Sequence, residues 1–120
     1  METAQNKIVK AALLGAGTVG SGVYQLVQER QEDFSHICGT QIQITKILVR
    51  DASKEREGIP SPLLTDNWNE IIEDDSISII IEVMGGIEPA KSYLLEAMKA
   101  GKQIVTANKD LIAEHGHELL

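Results

Sequence analysis

The stretch Ala11–Gly22, AALLGAGTVGSG, decides the fold of this chain. It joins an apolar run, Ile8–Leu14, to a segment with helical periodicity that begins at Ser21, and glycines 15, 17 and 20 stand at the join. A G-x-G-x-x-G pattern carries meaning only between a strand and a helix, which is the context found here. The sequence therefore predicts a strand–turn–helix unit that opens a parallel α/β sheet.

Each glycine of this turn has a separate physical reason. Gly15 permits a tight turn, Gly17 lets a diphosphate approach the main chain, and Gly20 lets the helix lie close to the strand. The backbone N–H groups of Thr18 and Val19 would then point at the phosphates, where the helix dipole favours negative charge. The pattern predicts a dinucleotide-binding turn, with an ordinary glycine-rich connection as the alternative.

The helix that follows is expected to extend from Ser21 to Asp33. Apolar residues at helical spacing predict the face that packs on the sheet: Val19, Val23, Leu26 and Val27. Gly22 lowers the intrinsic helix propensity, and we expect it to serve close packing as well.

Six later segments predict the remaining elements of the sheet and its helices. The strands are Ile42–Val49, Leu63–Thr65, Ile77–Val83 and Gln103–Thr106, and the helices are Trp68–Glu73 and Pro89–Ala100. Asn67 and Glu70 have the spacing of a capping box at the first of these helices. The order of the elements predicts a Rossmann-type, doubly wound α/β fold. Its sheet is mostly parallel, with strand order 3-2-1-4-5 and helices on both faces.

The end of the second strand bears on which dinucleotide fits. An acid at this position holds the ribose 2′-hydroxyl of NAD, whereas an arginine accommodates the 2′-phosphate of NADP. Arg50 and Asp51 stand side by side here, and Lys54 and Arg56 follow. Three cations near one corner favour an extra phosphate, so we expect NADP, with NAD as the alternative.

Two further turns are expected at the same edge of the sheet, because ligands bind at the carboxyl ends of parallel strands. Gly85 and Gly86 follow Ile77–Val83, and a glycine pair there lets the backbone come close to a cofactor; a plain strand-to-helix turn is the alternative. Lys109 follows the last strand. A cation there can stabilise charge on a carbonyl oxygen during hydride transfer, or it can be a surface lysine at a turn.

Composition excludes several classes of function. The 120 residues fit one domain, 1–120, and the net charge of −7 without a basic stripe argues against nucleic acid and anionic membranes. A single cysteine, Cys38, permits no internal disulfide and indicates a reducing cytoplasm. No apolar run reaches the length of a membrane span. His115 and His117 are two residues apart and would not share a helix face, so no metal site is expected.

Three separated segments, LLGAGTVGSG, IIIEVMGG and IVTANKDLIA, together closely resemble the N-terminal nucleotide-binding domain of homoserine dehydrogenase. The resemblance runs from about Lys7 to Leu120. It implies NAD(P)-dependent interconversion of L-homoserine and L-aspartate 4-semialdehyde, in threonine, isoleucine and methionine biosynthesis. It also implies site residues: Gly15, Gly17, Thr18, Val19 and Gly20 at the pyrophosphate, Arg50 at the 2′-phosphate, Gly85 at the ribose, and Lys109 near the nicotinamide and substrate.

The resemblance further implies what lies beyond these residues. Family members carry a substrate-binding segment, a second catalytic lysine, a sodium-type ion site and a dimerisation surface further along. The chain alone is therefore expected to bind nucleotide without turning over homoserine, and the full-length protein to be a homo-oligomer. Two alternatives stay open: the cofactor domain of another small-molecule NAD(P) oxidoreductase, for instance one acting on sugars or on aspartate, and a nucleotide-sensing domain without catalysis.

Overall fold

Strands and helices alternate along the chain in the computed structural model, which describes residues 7–31 and 39–106. The strands are β1 (Lys7–Leu14), β2 (Thr40–Leu48), β3 (Leu64–Thr65), β4 (Ile77–Glu82) and β5 (Gln103–Thr106). The helices are α1 (Thr18–Glu29), α2 (Asn69–Ile72) and α3 (Ala90–Lys99), and Ser61–Leu63 forms a 3₁₀ turn. Several residues singled out in the sequence lie outside these ranges: Asp33, Cys38, Lys109, His115 and His117.

The five described strands form one sheet in the order β3-β2-β1-β4-β5, and every neighbouring pair is parallel. This confirms the predicted Rossmann-type order. The central strand must bury both of its faces, and the last four residues of β1, Ala11–Leu14, are fully buried. A near-continuous apolar run is the sequence pattern that such a strand requires.

Helices cover both faces of the sheet. Alternate side chains of β1 point to opposite faces, so successive residues pack in different clusters. On one face Leu13 packs in a cluster with Tyr24 of α1. On the other face Leu14 packs in a cluster with Leu94 of α3 and with Trp68, whose ring stacks on a neighbouring tyrosine. The fold is therefore doubly wound. Within residues 7–31 and 39–106, every helix falls short of the length and apolar character that crossing a bilayer needs.

The buried face of α1 differs from the predicted one. The helix begins at Thr18, three residues before the predicted start, and Val19 and Leu26 are 61% and 51% exposed. Val27 is buried as predicted, Val23 is partly buried against the same cluster, and Tyr24, which was not predicted, is buried as well. Gly20, Tyr24 and Val27 form a stripe at positions i, i+4 and i+7, so the contact of Gly20 with Gly15, in the turn after β1, fixes the rotation of the helix.

The start of α2 also differs from prediction. The Asn67 side chain accepts a hydrogen bond from the Asn69 N–H at 3.0 Å, but Glu70 does not complete a capping box. Glu70 accepts from the buried Thr65 hydroxyl at 2.9 Å and from the Lys46 ammonium at 3.4 Å. The Thr65 hydroxyl in turn accepts from the Asn67 N–H at 3.1 Å. The threonine that ends β3 thus takes the place predicted for the glutamate.

Two glycines of α1 have opposite surroundings. A Cβ atom on Gly20 would stand 2.4 Å from the carbonyl oxygen of Gly15 and 2.8 Å from its carbonyl carbon. Gly20 is therefore needed for close helix–strand packing, as predicted. Gly22 is exposed, and a Cβ atom there would have nothing within 4 Å, so the predicted packing role of Gly22 is wrong.

Replacing each of these glycines by alanine should move stability in opposite directions. Gly20→Ala is expected to lower the free energy of unfolding by about 1–3 kcal/mol, because backbone atoms of Gly15 must shift. Gly22→Ala, the matched control, should raise it by about 0.5–1 kcal/mol, because alanine is the better helix former. Urea unfolding followed by circular dichroism measures both. A loss of similar size in the two variants would contradict the close contact at position 20.

Candidate functional site

The strands end at a common level, which forms the floor of the site. One row of paired residues crosses the sheet at this level: Thr65, Leu48, Leu14, Glu82 and Thr106. Two backbone hydrogen bonds fix the path of the chain just beyond this row. The Gly15 N–H donates to the Leu48 carbonyl at 2.9 Å, and the Val83 N–H donates to the Leu14 carbonyl at 3.0 Å. The turns after β2, β1 and β4 consequently stand side by side above one edge of the sheet.

A crevice of about 830 Å³ lies above these three turns. Gly15 and Gly17 line its centre, Arg50 and Lys54 line the side above β2, and Gly85 lines the side above β4. The volume is within the range of about 300–1,000 Å³ typical of small-molecule and cofactor sites. An elongated ligand could cross the ends of all three strands.

The first turn of α1 opens on this crevice without a side-chain cap. Gly17 is the N-cap residue, it makes no side-chain capping bond, and the first turn contains no acid. The Ser21 N–H makes the first bond of the helix, to the Gly17 carbonyl at 2.8 Å, so the preceding N–H groups of Thr18, Val19 and Gly20 are those that an α-helix leaves for outside acceptors. Such a helix end attracts anions, and phosphate is the common case.

The glycine turn is tight on one side and open on the other. Gly15 has φ +107°, which favours glycine, and a Cβ atom there would stand 3.3 Å from the Met84 Cα. A Cβ atom on Gly17 would have nothing within 4 Å. The open space beside Gly17 faces the crevice and gives a ligand direct access to main chain.

Beyond β2, the side chain of Asp51 is held by its own turn. Its carboxylate accepts hydrogen bonds from the Ser53 hydroxyl at 2.5 Å and the Ser53 N–H at 3.0 Å. These bonds, and to a lesser extent the charges of Arg56 and Lys54, hold the pKa of Asp51 below its ordinary value of 3.8. The Arg56 guanidinium donates to the carbonyls of Asp51 at 3.3 Å and Lys54 at 3.1 Å, which closes the turn from the other side.

The three predicted cations therefore differ in their surroundings. Arg56 lines the crevice but is occupied with backbone carbonyls. Arg50 is exposed in the crevice and makes no hydrogen bond to any residue that the structure describes, and Lys54 lies beside it. Asp51 is not among the residues that line the crevice. Of the three cations that line this side, Arg50 and Lys54 make no side-chain hydrogen bond to the described residues, whereas Nη1 of Arg56 is bonded to two backbone carbonyls.

The turn after β4 rests on a buried carboxylate that the sequence analysis did not single out. Gly85 and Gly86 have φ +78° and +75°, and Glu82 beneath them is 0% exposed. Its Oε2 accepts hydrogen bonds from the N–H groups of Met84 at 2.8 Å and Gly85 at 3.2 Å, and the Thr106 hydroxyl donates to Oε1. The available signal was an acid within the apolar run ISIIIEV, three residues before the first of two glycines.

The structure brings most of the predicted site residues to one crevice. Gly15, Gly17, Arg50 and Gly85 line it, and Thr18, Val19 and Gly20 form the helix turn that opens on it. Lys109 lies outside the described residues. In residues 7–31 and 39–106, no group of three or more His, Cys, Asp or Glu side chains is placed to hold a metal ion.

Comparison with known proteins gives a consistent result. A family model for the homoserine dehydrogenase NAD-binding domain matches residues 15–120. Homoserine dehydrogenase from Bacillus subtilis is 44% identical over 115 residues, which cover 95% of this chain and 27% of that protein; the Lactococcus lactis enzyme is 46% identical over 114 residues, with 92% and 27% covered. The chain thus spans about a quarter of the length of these relatives.

Solved structures are similar over the same extent. Homoserine dehydrogenase from S. aureus at pH 7.0 has a TM-score of 0.87 and 48% identity, with 94% of this chain and 29% of that chain covered. The enzyme from Thiobacillus denitrificans also has a TM-score of 0.87, at 34% identity, with 94% and 26% covered.

Alanine at position 17 should separate binding from folding. Gly17→Ala has space for its Cβ and a φ of −73° that alanine readily adopts, so the free energy of unfolding should change little. The new methyl group occupies the space that a diphosphate needs, and affinity for NADP should fall by about tenfold or more. Calorimetric titration with NADP measures this, with Gly22→Ala as the control that keeps wild-type affinity. Unchanged affinity in Gly17→Ala would exclude diphosphate contact at this glycine.

Proposed function

This chain belongs to the homoserine dehydrogenase family, as its NAD-binding domain, and from that premise we propose that the polypeptide carrying it interconverts L-homoserine and L-aspartate 4-semialdehyde. The domain binds a nicotinamide dinucleotide. The observation that supports the proposal best is the crevice that crosses the ends of β2, β1 and β4, with bare backbone at its centre and cations at one side. The activity is proposed for the whole protein. The related enzymes are about four times as long as this chain.

Residues 15–20 are proposed to hold the diphosphate. The first-turn N–H groups of α1 supply donors, and the absence of a side chain at Gly17 lets the phosphates reach them. Because no acid stands in the first turn, no carboxylate of α1 competes for these donors. Backbone donors explain how a chain with a net charge of −7 can bind a polyanion locally.

NADP is proposed as the preferred cofactor, and two observations support it. Arg50 and Lys54 line the crevice where the adenosine ribose would lie. Asp51, the acid that would hold a free 2′-hydroxyl, has its carboxylate bound to Ser53 instead. A guanidinium that makes no bond to the described residues suits a 2′-phosphate, because charge-assisted bonds to phosphate are among the stronger ones.

Lys109 is proposed to act at the other end of the cofactor, on the basis of its place after β5 in the sequence. Residues 15–20, Arg50 and Gly85 would hold the dinucleotide, which would supply hydride transfer between the alcohol carbon of homoserine and the aldehyde carbon of the semialdehyde. The ammonium group of Lys109 would stabilise negative charge on the substrate oxygen as the hydride is transferred. The hydroxyl proton must leave to a base or to solvent in the oxidative direction, and Lys109 alone is not assigned to that transfer.

The remaining properties of the protein are part of the same proposal. Residues 1–120 form one cofactor domain, and the substrate-binding segment belongs to another part of the polypeptide. The full-length protein is a cytoplasmic homo-oligomer that takes part in threonine, isoleucine and methionine biosynthesis. It has no nucleic acid or membrane partner, which the net charge of −7 supports.

Activity should require both the complete polypeptide and Lys109. The full-length protein is expected to reduce NADP when given L-homoserine, whereas the 120-residue chain binds NADP without turnover. Lys109→Ala in the full-length protein should lower kcat by about a hundredfold, because one charge-stabilising group is lost. The absorbance of reduced nicotinamide measures the rate, and Lys99→Ala at the exposed end of α3 is the control. A full-length protein that oxidises a different alcohol, or none, would contradict the proposed substrate.

Changes at the end of β2 should separate NADP from NAD. Arg50→Ala is expected to lower the affinity for NADP by about tenfold to a hundredfold, which is the effect of losing a charge-assisted contact. The affinity for NAD should stay nearly unchanged. Asp51→Asn should leave both affinities near wild type, because the Ser53 bonds already occupy the carboxylate. Calorimetric titration of each variant measures the affinities. Equal losses for the two cofactors in Arg50→Ala, or a selective loss of NAD in Asp51→Asn, would contradict the 2′-phosphate role.

A further inference from the structure

A carboxylate without solvent contact stands at the end of β4, directly beneath the turn that lines the crevice. Glu82 lies in the row of strand ends between Leu14 and Thr106, and it is 0% exposed. Burying an ionised group is costly unless its oxygens receive hydrogen bonds. Glu82 receives three, from two backbone N–H groups of the turn and one hydroxyl.

These bonds fix the orientation of two peptide groups. The N–H groups of Met84 and Gly85 both point down at Oε2 of Glu82. Because N–H and C=O point in opposite directions in a trans peptide, the carbonyls of Val83 and Met84 must point away from Glu82. One of them is located independently: the Val83 oxygen lies 3.3 Å from where a Cβ atom of Gly15 would stand, beside the glycine turn.

The turn therefore has a different polarity from the start of α1. Successive N–H groups in a glycine turn can form a concave anion site, but here the protein's own carboxylate already occupies it from below. Met84 and Gly85 line the crevice, and the Val83 oxygen lies beside Gly15, so the groups of this turn that remain for a ligand are carbonyl oxygens turned away from Glu82 and the bare Cα of Gly85. Carbonyl oxygens accept hydrogen bonds from hydroxyl and amide groups and repel phosphate.

The strand order tells which part of a dinucleotide meets this turn. The 2′-position of the adenosine ribose lies at the end of β2 and the diphosphate at the end of β1, so the ligand runs across the sheet toward β4. The half that bears the nicotinamide and its ribose then lies above β4. Its hydroxyl and carboxamide groups are the donors that outward carbonyls would accept.

We propose that Glu82 is a positioning residue, which turns the Val83 and Met84 carbonyls toward the crevice so that they bind the hydroxyl groups of the nicotinamide half. This rests on the proposed function, because it assigns a role within the same cofactor site. Glu82 touches no ligand itself and acts through the backbone of the turn. Thr106 extends the same control to the end of β5, since its hydroxyl is bound to the other carboxylate oxygen.

Two substitutions at position 82 test the role. Glu82→Met removes both acceptors at similar length, and affinity for NADP should fall by about tenfold or more. Affinity for adenosine 2′,5′-bisphosphate, which lacks the nicotinamide half, should stay within about twofold of wild type. Glu82→Gln keeps an oxygen that can accept from the turn and should restore NADP affinity to within about threefold. Glu73→Gln, at an exposed site with the same change of charge, is the matched control.

Hydrogen exchange supplies a readout that needs no ligand. The Met84 and Gly85 amides should be protected in the wild-type chain and in Glu82→Gln, and should exchange faster in Glu82→Met. NADP should leave their protection in the wild type unchanged, because these N–H groups already have an acceptor.

The outcomes separate the two proposals. If the wild-type chain binds neither NADP nor adenosine 2′,5′-bisphosphate, the cofactor function fails, and the exchange data still test the orientation of the turn. If Glu82→Met lowers the affinities for NADP and for adenosine 2′,5′-bisphosphate equally, the role of Glu82 is only structural and the inference is overturned. Wild-type affinity for NADP in Glu82→Met, failure of Glu82→Gln to restore binding, or unprotected amides in the wild type would each overturn it as well.

Discussion

The close approach of α1 to the end of β1 is the constraint on which the rest of the site depends. Position 20 faces the carbonyl of Gly15 at a distance that excludes even a methyl group. This contact sets the rotation of the helix, so that Tyr24 and Val27 face the sheet. It also brings the first turn of the helix to the level at which the strands end. A helix held further away would leave its N–H groups beyond the reach of a ligand on the strand ends.

Around that contact, three adjacent turns present three kinds of chemistry. The start of α1 offers backbone donors, the turn after β2 offers the cations Arg50 and Lys54, and the turn after β4 offers carbonyl oxygens held outward by Glu82. A dinucleotide has matching groups in the same order: diphosphate at the centre, an adenosine ribose on one side and a second ribose on the other. The common level of the strand ends allows one extended ligand to meet all three turns.

Much of this arrangement could be predicted from the sequence, and the failures have a common cause. Strand order and the glycine turn followed from local patterns, since near-continuous apolar runs and the spacing of glycines 15, 17 and 20 are properties of single segments. The buried face of α1 was predicted correctly for Val27 and wrongly for Val19 and Leu26, because the rotation of the helix depends on the contact of Gly20 with Gly15 in the preceding turn. Tyr24 would have been found by counting four residues from Gly20 instead of following the valines and leucine.

The hydrogen-bond partners of side chains in the turns could not be predicted from the sequence either. Asn67 and Glu70 have the spacing of a capping box, but the glutamate bonds Thr65, which reaches it only because β3 ends beside α2. Glu82 stood in the sequence as one acid in an apolar strand, and its two amide partners depend on the backbone of a glycine turn that no periodicity describes. Sequence patterns locate elements, whereas such partners depend on how the elements meet.

The hydrogen bonds that Asp51 receives from Ser53 and from Arg56 have a consequence for protein engineering. Replacing Arg50 would remove the proposed contact with the 2′-phosphate without supplying a group that binds a free 2′-hydroxyl. The Asp51 carboxylate would stay bound to Ser53, and the Arg56 guanidinium would still hold the same turn. If the proposed preference for NADP holds, a redesign toward NAD must also release Asp51, and because the Ser53 N–H as well as its hydroxyl binds the carboxylate, the turn itself must change. Cofactor exchange in this family member is thus a problem of loop conformation as much as of charge.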